Sequence, residues 1–464
     1  MKKIRFFCLI LSFLLLFTGY SPAVKATSND LAVTQGCHSV DAAMTLSTEE
    51  KLTETAKAVV VYELKSGTML YHYNPDGRIQ PTSMVKMMTA LVALEMADLD
   101  EEVVVKRKVL DQVAIGSVSA GLKANETISM RDLLYCTMVA SANDAAVVIA
   151  NHIAGSAEAF VDLMNEKAAQ LGCKDTHYSN VHGLHDELSY TSARDICRIT
   201  EAALENELFR TMFCTVDYTV PATNKSEPRK ITTTNHMMNP RNLKYYDARV
   251  TGGKTGATDK GGRCLTMTAQ YGEMELLCIV MGATPTVGDD GNLTAFGSFE
   301  ESTVLMNYVF ENFELRQVFF SGQSLAQYPV ENGANDVVTQ AVSNISTVLP
   351  IEVEQSQLRW VYQNANELIS APVSQGQKLG DVEVWYGNKC LARTDMVAMN
   401  AVALKQEFSV PQKPASRKYE GSWTAVLLIL LGGVVAVFVG MVVLRAVRIM
   451  QHNRRKNRRG RRRS

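Results

Sequence analysis

The sequence predicts three architectures in series: an α+β domain over residues 50–315, a small all-β domain over 316–408 and a membrane-spanning helix over 422–444. Three observations carry this reading. β-Branched runs broken by tight turns lie at both ends of the first region and enclose a middle of helical periodicity, the segregated pattern of an α+β domain. Short alternating apolar stretches separated by Gly, Asn and Pro fill the second region. Trp423 to Leu444 is 22 residues without a charge, which at about 1.5 Å per residue reaches ~33 Å, roughly one hydrocarbon core.

In chain order, Lys57–Leu64 is a β-branched run that Lys65-Ser66-Gly67 turns back into Thr68–Tyr71, a β-hairpin. Met84, Met87, Met88, Leu91 and Leu94 recur at helical spacing, so the methionines read as core. Ser129 with Asp132 resembles a capping box opening a helix over Leu133–Val139, and a second helix is expected over Asp144–Ile153. Thr191 and Ser192 are N-cap candidates for a helix towards Leu204. Val250–Gly253, Arg263–Gln270 and Glu275–Met281 read as consecutive strands, and Phe299–Phe313 as a closing amphipathic helix. In the all-β region the alternating segments are Pro350–Val353, Leu358–Tyr362 and Asp381–Tyr386, and residues 409–421 suit a linker.

The net charge of −1 hides a segregation. Residues 1–26 hold four basic and no acidic residues and residues 422–464 hold ten basic and none acidic, which leaves about −15 on the rest. An acidic middle argues against a nucleic-acid partner. Lys2, Lys3 and Arg5 before the apolar run Phe6–Phe17, with small residues at Ala23 and Ala26, lay out a secretory signal peptide over 1–26. Arg445, Arg448 and the cluster Arg454 to Arg463 follow the span, so 445–464 reads as a basic cytoplasmic tail and 27–421 as facing outward. The nine cysteines include no C-x-x-C pair, and buried free thiols are expected rather than a zinc or redox site. His177, His182 and His185 share a loop without a second ligand cluster, so no metal is expected.

Three motifs carry chemistry. Ser83-Met84-Val85-Lys86 is an S-x-x-K at a helix start, where positions three apart share a face and a lysine held neutral by burial or by another cation can take the serine proton. Alone it is weak, since about two copies arise by chance in a chain of this composition. Ser141-Ala142-Asn143 lies at the junction of two helices, and Lys254-Thr255-Gly256 in a strand leading into a hairpin. A basic, hydroxyl-bearing strand beside a nucleophile suits a carboxylate-ended substrate and supplies backbone N–H donors. In this order and these contexts the set is specific.

The set resembles the serine-type D-alanyl-D-alanine carboxypeptidases, the low-molecular-mass penicillin-binding proteins of bacteria. The resemblance covers about residues 50–410: Gln80–Thr89, Leu133–Ala146, Asn180–Leu184 with Thr191–Asp195, Lys254–Lys260, and Ala371–Val373 with Gly376–Gly380. Val85 stands where threonine is usual, and Ala257 where some members carry histidine. The resemblance implies a penicillin-binding/β-lactamase-like transpeptidase domain, an antiparallel sheet with helices on both faces plus a helical subdomain, followed by a small β-domain.

Further implications concern the site. Ser83 is the expected nucleophile, Lys86 its base and Ser141 the proton relay. Asn143, Lys254, Thr255, Gly256 and Ala257 are the expected substrate-binding residues, with Arg241 a carboxylate partner. The expected reaction removes the C-terminal D-alanine from peptidoglycan stem peptides through a Ser83 acyl-enzyme, so controlling cross-linking. It needs no metal or organic cofactor, and β-lactams acylate Ser83. A β-lactamase is the alternative enzyme, and Glu205-Asn206-Glu207 faintly resembles its water-activating segment. A non-catalytic sensor on the same scaffold is the other alternative. The chain is expected in a bacterial membrane, held by one span, with its catalytic domain outside.

Overall fold

The β-branched run Ala58–Glu63 (β1) turns at Gly67, whose φ of 66° suits glycine, into Thr68–Tyr73 (β2). In this computed structural model, which describes residues 51–364, 368–406 and 423–460, β1 does not pair onward with its sequence neighbours. Its second partner is Met274–Ala283 (β5), which follows Val250–Thr258 (β3) and Gly262–Tyr271 (β4) far along the chain. The five strands form one antiparallel sheet in the order β2-β1-β5-β4-β3.

Period-2 alternation divides the sheet between two cores. Val60 and Tyr62 of β1 with Leu277 and Ile279 of β5 enter a cluster with the helical middle. Val59, Val61, Leu276, Cys278 and Val280 point the other way, onto Leu305, Met306 and Val309. The helical middle holds Val85–Met96 (α1), Met130–Met138 (α2), Asn143–Ala154 (α3), Ala157–Gln170 (α4), Ala193–Leu204 (α5) and Glu207–Phe213 (α6). The opposite face is covered by Ser298–Asn312 (α7). Side-chain oxygens of Ser129, Ser156, Ser192 and Asn206 cap α2, α4, α5 and α6 by accepting from first-turn N–H groups. The sheet therefore carries helices on both faces, as the sequence implied. Met84, Met87 and Met88 are fully buried in its core.

Helix α7 leads into the strand Phe313–Phe319 (β6), which pairs with Ile345–Pro350 (β9). A second sheet runs β7-β8-β12-β11-β10, from Ser324–Tyr328 (β7), Val337–Ala341 (β8), Leu358–Asn364 (β10), Lys378–Tyr386 (β11) and Lys389–Ala398 (β12). Phe319, Leu349, Val382 and Val384 fill its core, while Val348 packs into the α7 core. The strand expected over Pro350–Val353 ends instead at Pro350, opposite Phe313, because the Ile351 N–H bonds the Asn312 carbonyl and the chain turns.

The described residues 423–460 belong to a separate unit. Its helix, Trp423–Gly460 (α8), contains the expected span and continues through the basic segment; Trp423–Gln451 is long and apolar enough to cross a membrane. The expected signal peptide and linker lie outside the described residues. Among the described residues seven cysteines are free thiols and no cluster of His, Cys, Asp and Glu could hold a metal.

Candidate active site

Pro81 precedes a 3-10 turn, Thr82–Met84, that runs straight into α1. Thr82 holds φ at 52°, a left-handed value that a β-branched residue rarely takes, and Ser83 follows it half-buried. One helical turn on, the Lys86 amine lies 3.2 Å from Ser83 Oγ and donates to the His182 carbonyl at 2.5 Å. Lys86 is fully buried. Burial pushes its pKa well below the ordinary lysine value, the cationic Lys254 adds to this and Asp144 opposes it. A neutral amine with a free lone pair beside a hydroxyl is a general base.

Between α2 and α3 the chain kinks at Ser141, whose φ is 59°. The Lys254 ammonium donates to Ser141 Oγ at 2.8 Å and to the Thr255 carbonyl at 3.0 Å. Burial pushes Lys254 down to about 7. Asn143 opens α3, buried, with its N–H on the Val118 carbonyl. Next to it the buried Asp144 accepts from Ala120 N at 2.9 Å, Leu122 N at 3.1 Å and Ser119 Oγ at 2.6 Å, which fastens the loop 118–122 beside Ser141.

The strand β3 approaches the Thr82–Met84 turn so closely that no side chain fits between them at Gly256. A Cβ on Gly256 would stand 1.9 Å from Thr82 Oγ1 and 3.1 Å from Ser83 N, and one on Gly183 would stand 1.8 Å from the Thr82 carbonyl oxygen. Only glycine fits either place. The result is a cleft of about 380 Å³ lined by Ser83, Ser141, Thr234, Thr255, Ala257 and Arg263, among others, with Phe296, Phe299 and His236 forming an aromatic wall. The Thr234 and Thr255 hydroxyls are hydrogen-bonded to each other.

The structure brings together Ser83, Lys86, Ser141, Lys254, Thr255, Gly256 and Ala257, and sets Asn143 beside them at the start of α3. It does not bring in Arg241. That side chain is on an exposed loop, with its two terminal nitrogens on the two oxygens of Asp217 at 2.6 and 2.7 Å. Glu205, in the segment weighed as β-lactamase-like, is exposed at the end of α5 and outside the cleft. Three contributors were missed by reading the sequence. The His182 carbonyl offers no side-chain signal, Thr234 belongs to no motif, and Arg263 becomes visible only once the β3–β4 register sets it opposite Ala257.

Comparison with known proteins gives a consistent picture. The profile of the family described as D-alanyl-D-alanine carboxypeptidase matches residues 44–285, and that of the penicillin-binding protein 5 C-terminal domain matches residues 313–404. The chain is 30% identical over 365 residues to the D-alanyl-D-alanine carboxypeptidase DacA of Haemophilus influenzae, covering 75% of this chain and 85% of that protein. It is 29% identical over 356 residues to DacF of Bacillus subtilis, covering 75% and 86%. Among solved structures, penicillin binding protein 5 from Haemophilus influenzae superposes with a TM-score of 0.63 at 29% identity, covering 77% of this chain and 99% of that one.

Proposed function

We propose, from the premise that this chain belongs to the D-alanyl-D-alanine carboxypeptidase family, how its own residues perform the reaction of that family. The protein removes the C-terminal D-alanine from peptidoglycan stem peptides and binds penicillin. Ser83 attacks the carbonyl of the terminal D-Ala–D-Ala bond while Lys86 takes its proton. The backbone N–H groups of Ser83 and Ala257 receive the developing oxyanion. Ser141, polarised by Lys254, passes a proton to the departing amine and takes in its place the one that Lys86 received from Ser83, so D-alanine leaves and Lys86 is neutral again. Water then attacks the acyl-enzyme, with Lys86 as base, and frees the shortened peptide and Ser83. Thr255 faces the substrate carboxylate, and Asn143 holds the peptide backbone or Lys86. A β-lactam enters the first half of this cycle and stops there as an ester of Ser83.

The observation that carries the reading is a fully buried lysine, its pKa well below the ordinary value, 3.2 Å from a serine hydroxyl at the edge of a cleft. We further propose that residues 1–26 direct export, that α8 anchors the chain in the bacterial membrane and that its basic end stays in the cytoplasm, which leaves the catalytic domain outside. The length and apolarity of α8 and the run of arginines after it support this.

The test is D-alanine release from an N-acylated L-Lys-D-Ala-D-Ala tripeptide by the wild type and by Ser83→Ala. Release by the first and none by the second is expected. No release by a folded wild type would overturn the carboxypeptidase reading, and penicillin hydrolysis on the same samples would then point to a β-lactamase.

A further inference from the structure

A lysine that serves as base has to turn its lone pair towards the hydroxyl it deprotonates. A neutral lysine amine carries two N–H groups and one lone pair, and rotation about its C–N bond is free unless an acceptor fixes one of the N–H groups. Here the acceptor is a backbone group. The Lys86 amine donates to the His182 carbonyl at 2.5 Å and lies 3.2 Å from Ser83 Oγ. The direction of that carbonyl therefore sets the direction of the lone pair.

The His182 carbonyl and the Gly183 N–H are the two ends of one planar trans peptide and point opposite ways. Lys86 holds the first end and Asn180 holds the second. Asn180 Oδ1 accepts from Gly183 N at 2.7 Å and from His182 N at 3.3 Å, while its Nδ2 donates to the Leu184 carbonyl at 3.1 Å. One half-buried side chain thus grips three successive residues. Other contacts fix where this loop sits. Thr89, one turn along α1 from Lys86, donates to the Val181 carbonyl at 2.8 Å, and Gly183, at a φ of 82°, packs on the Thr82 carbonyl. Asn165 makes a second clamp on the same loop, accepting from Tyr178 N at 2.8 Å and donating to the Tyr178 carbonyl at 2.9 Å, but this one does not include the peptide between His182 and Gly183.

We propose that Asn180 is a positioning residue of the reaction: by holding the Gly183 N–H it aims the His182 carbonyl at Lys86, and the carbonyl aims the Lys86 lone pair at Ser83. This rests on the reading of Lys86 as the base and adds the side chain that orients it through a peptide unit. The carbonyl also acts electrically, since an acceptor favours the ammonium form and partly offsets burial. The charged and titratable groups that face Lys86 are Lys254 from β3, Asp144 from α3 and the His182 imidazole, which burial and Lys86 push down to about 4. None of the three is replaced by a change at Asn180.

The test uses the full chain in detergent. The rate of acylation by benzylpenicillin is followed against pH for wild type, Asn180→Ala, Asn180→Asp and Asn165→Ala, with melting curves and with D-alanine release from the acylated tripeptide by the wild type. A base displaced by about 1 Å costs on the order of a hundredfold, so the plateau rate of Asn180→Ala is expected to fall by about that factor. Its acid limb moves to lower pH, because the ammonium loses an acceptor while burial remains. Asn180→Asp keeps both acceptor bonds and recovers most of the rate, and its carboxylate polarises the peptide further, which moves the acid limb to higher pH. Asn165→Ala loses stability but keeps the wild-type rate. An unchanged plateau in Asn180→Ala, an equal loss in Asn165→Ala, or a limb of Asn180→Ala moved to higher pH by water entering a loosened loop overturns the proposal. If Asn180→Ala does not fold, the limb of Asn180→Asp decides, and an unmoved limb overturns it. A wild type that is acylated but releases no D-alanine overturns the carboxypeptidase reading alone, and the acylation rates still decide Asn180. A folded wild type that is not acylated overturns both.

Discussion

Residues 58–312 and residues 313–404 are built from similar apolar side chains, yet they treat charge and backbone in opposite ways. The first region buries Lys86 and Lys254 completely and holds Thr82 and Ser141 at positive φ, in or next to residues that line one cleft. The second keeps its cations at the surface, where Lys378 pairs with Asp381 and Asp395 and Arg393 with Asp381. Its buried Glu383 accepts from the Trp385 indole and the Gln363 amide. Among its described residues only Asn332 is a non-glycine at positive φ. A buried ammonium and a left-handed β-branched residue each oppose folding, so they persist where something other than stability keeps them. The contrast separates the part of the molecule that buries its cations around a cleft from the part that keeps them paired at the surface.

Four substitutions test that separation. The largest effect is expected from Gly256→Ala, whose added carbon has to displace the Thr82 turn. A shift of the nucleophile by about 1 Å costs on the order of a hundredfold in rate, so penicillin acylation is expected to slow by about 100-fold or more. An unchanged acylation rate would falsify the close fit of β3 to the turn. In the β-domain, Leu349→Ala removes a fully buried side chain and is expected to lower stability by about 2–5 kcal/mol while kcat/KM holds. A matching loss of kcat/KM in folded protein would break the distinction between the two regions.

Lys254→Met sharpens the comparison from the other side. Unfolded, Lys254 binds a proton below its ordinary value of 10.5, and folded only below about 7. Between these values the unfolded chain binds more protons, so wild-type stability rises with pH across that window. The methionine variant lacks this liability. At pH 7 it is expected to be more stable by about 1–2 kcal/mol, the lower part of what replacing a buried ion brings, because Ser141 Oγ and the Thr255 carbonyl lose a donor. The gain shrinks as pH approaches 10, and acylation is lost at every pH. Melting curves at pH 7 and pH 10 read it directly, and a gain that does not shrink contradicts the burial argument. The smallest effect belongs to Arg241→Gln, which breaks an exposed ion pair with Asp217. Turnover of the tripeptide is expected to stay within about twofold, since exposed pairs contribute little; a tenfold loss would return Arg241 to the site.

The sequence made the elements and most of the site legible because both are written in local patterns. Ser129 caps its helix where the spacing to Asp132 predicted, and Ser192 is the one of the two N-cap candidates, Thr191 and Ser192, that caps α5, and the S-x-x-K spacing does place the amine by the hydroxyl. What was not legible depends on segments distant in the chain. Nothing near Ala58 announces a partner at Met281, and that pairing decides the sheet order. Arg241 entered only through the resemblance, and an aspartate 24 residues earlier pairs with it on an exposed loop outside the cleft. Arg263 lies within a strand the sequence predicts, but its place in the cleft follows from its register against Ala257, which periodicity cannot supply. The His182 carbonyl is a backbone group, and any residue at that position would have presented it.

The crowding around Thr82 also sets an order of events. A Cβ on Gly183, Gly256 or Gly261 would collide with that one residue, so three segments that come after it in the chain close on it. The strand β1 likewise waits for β5 as its inner neighbour. A chain delivered N-terminus first exposes Ser83 early and acquires the surroundings that make it a nucleophile only after Ala283 has followed. Until then the chain carries the serine without the buried Lys254 and the cleft that surround it in the folded domain.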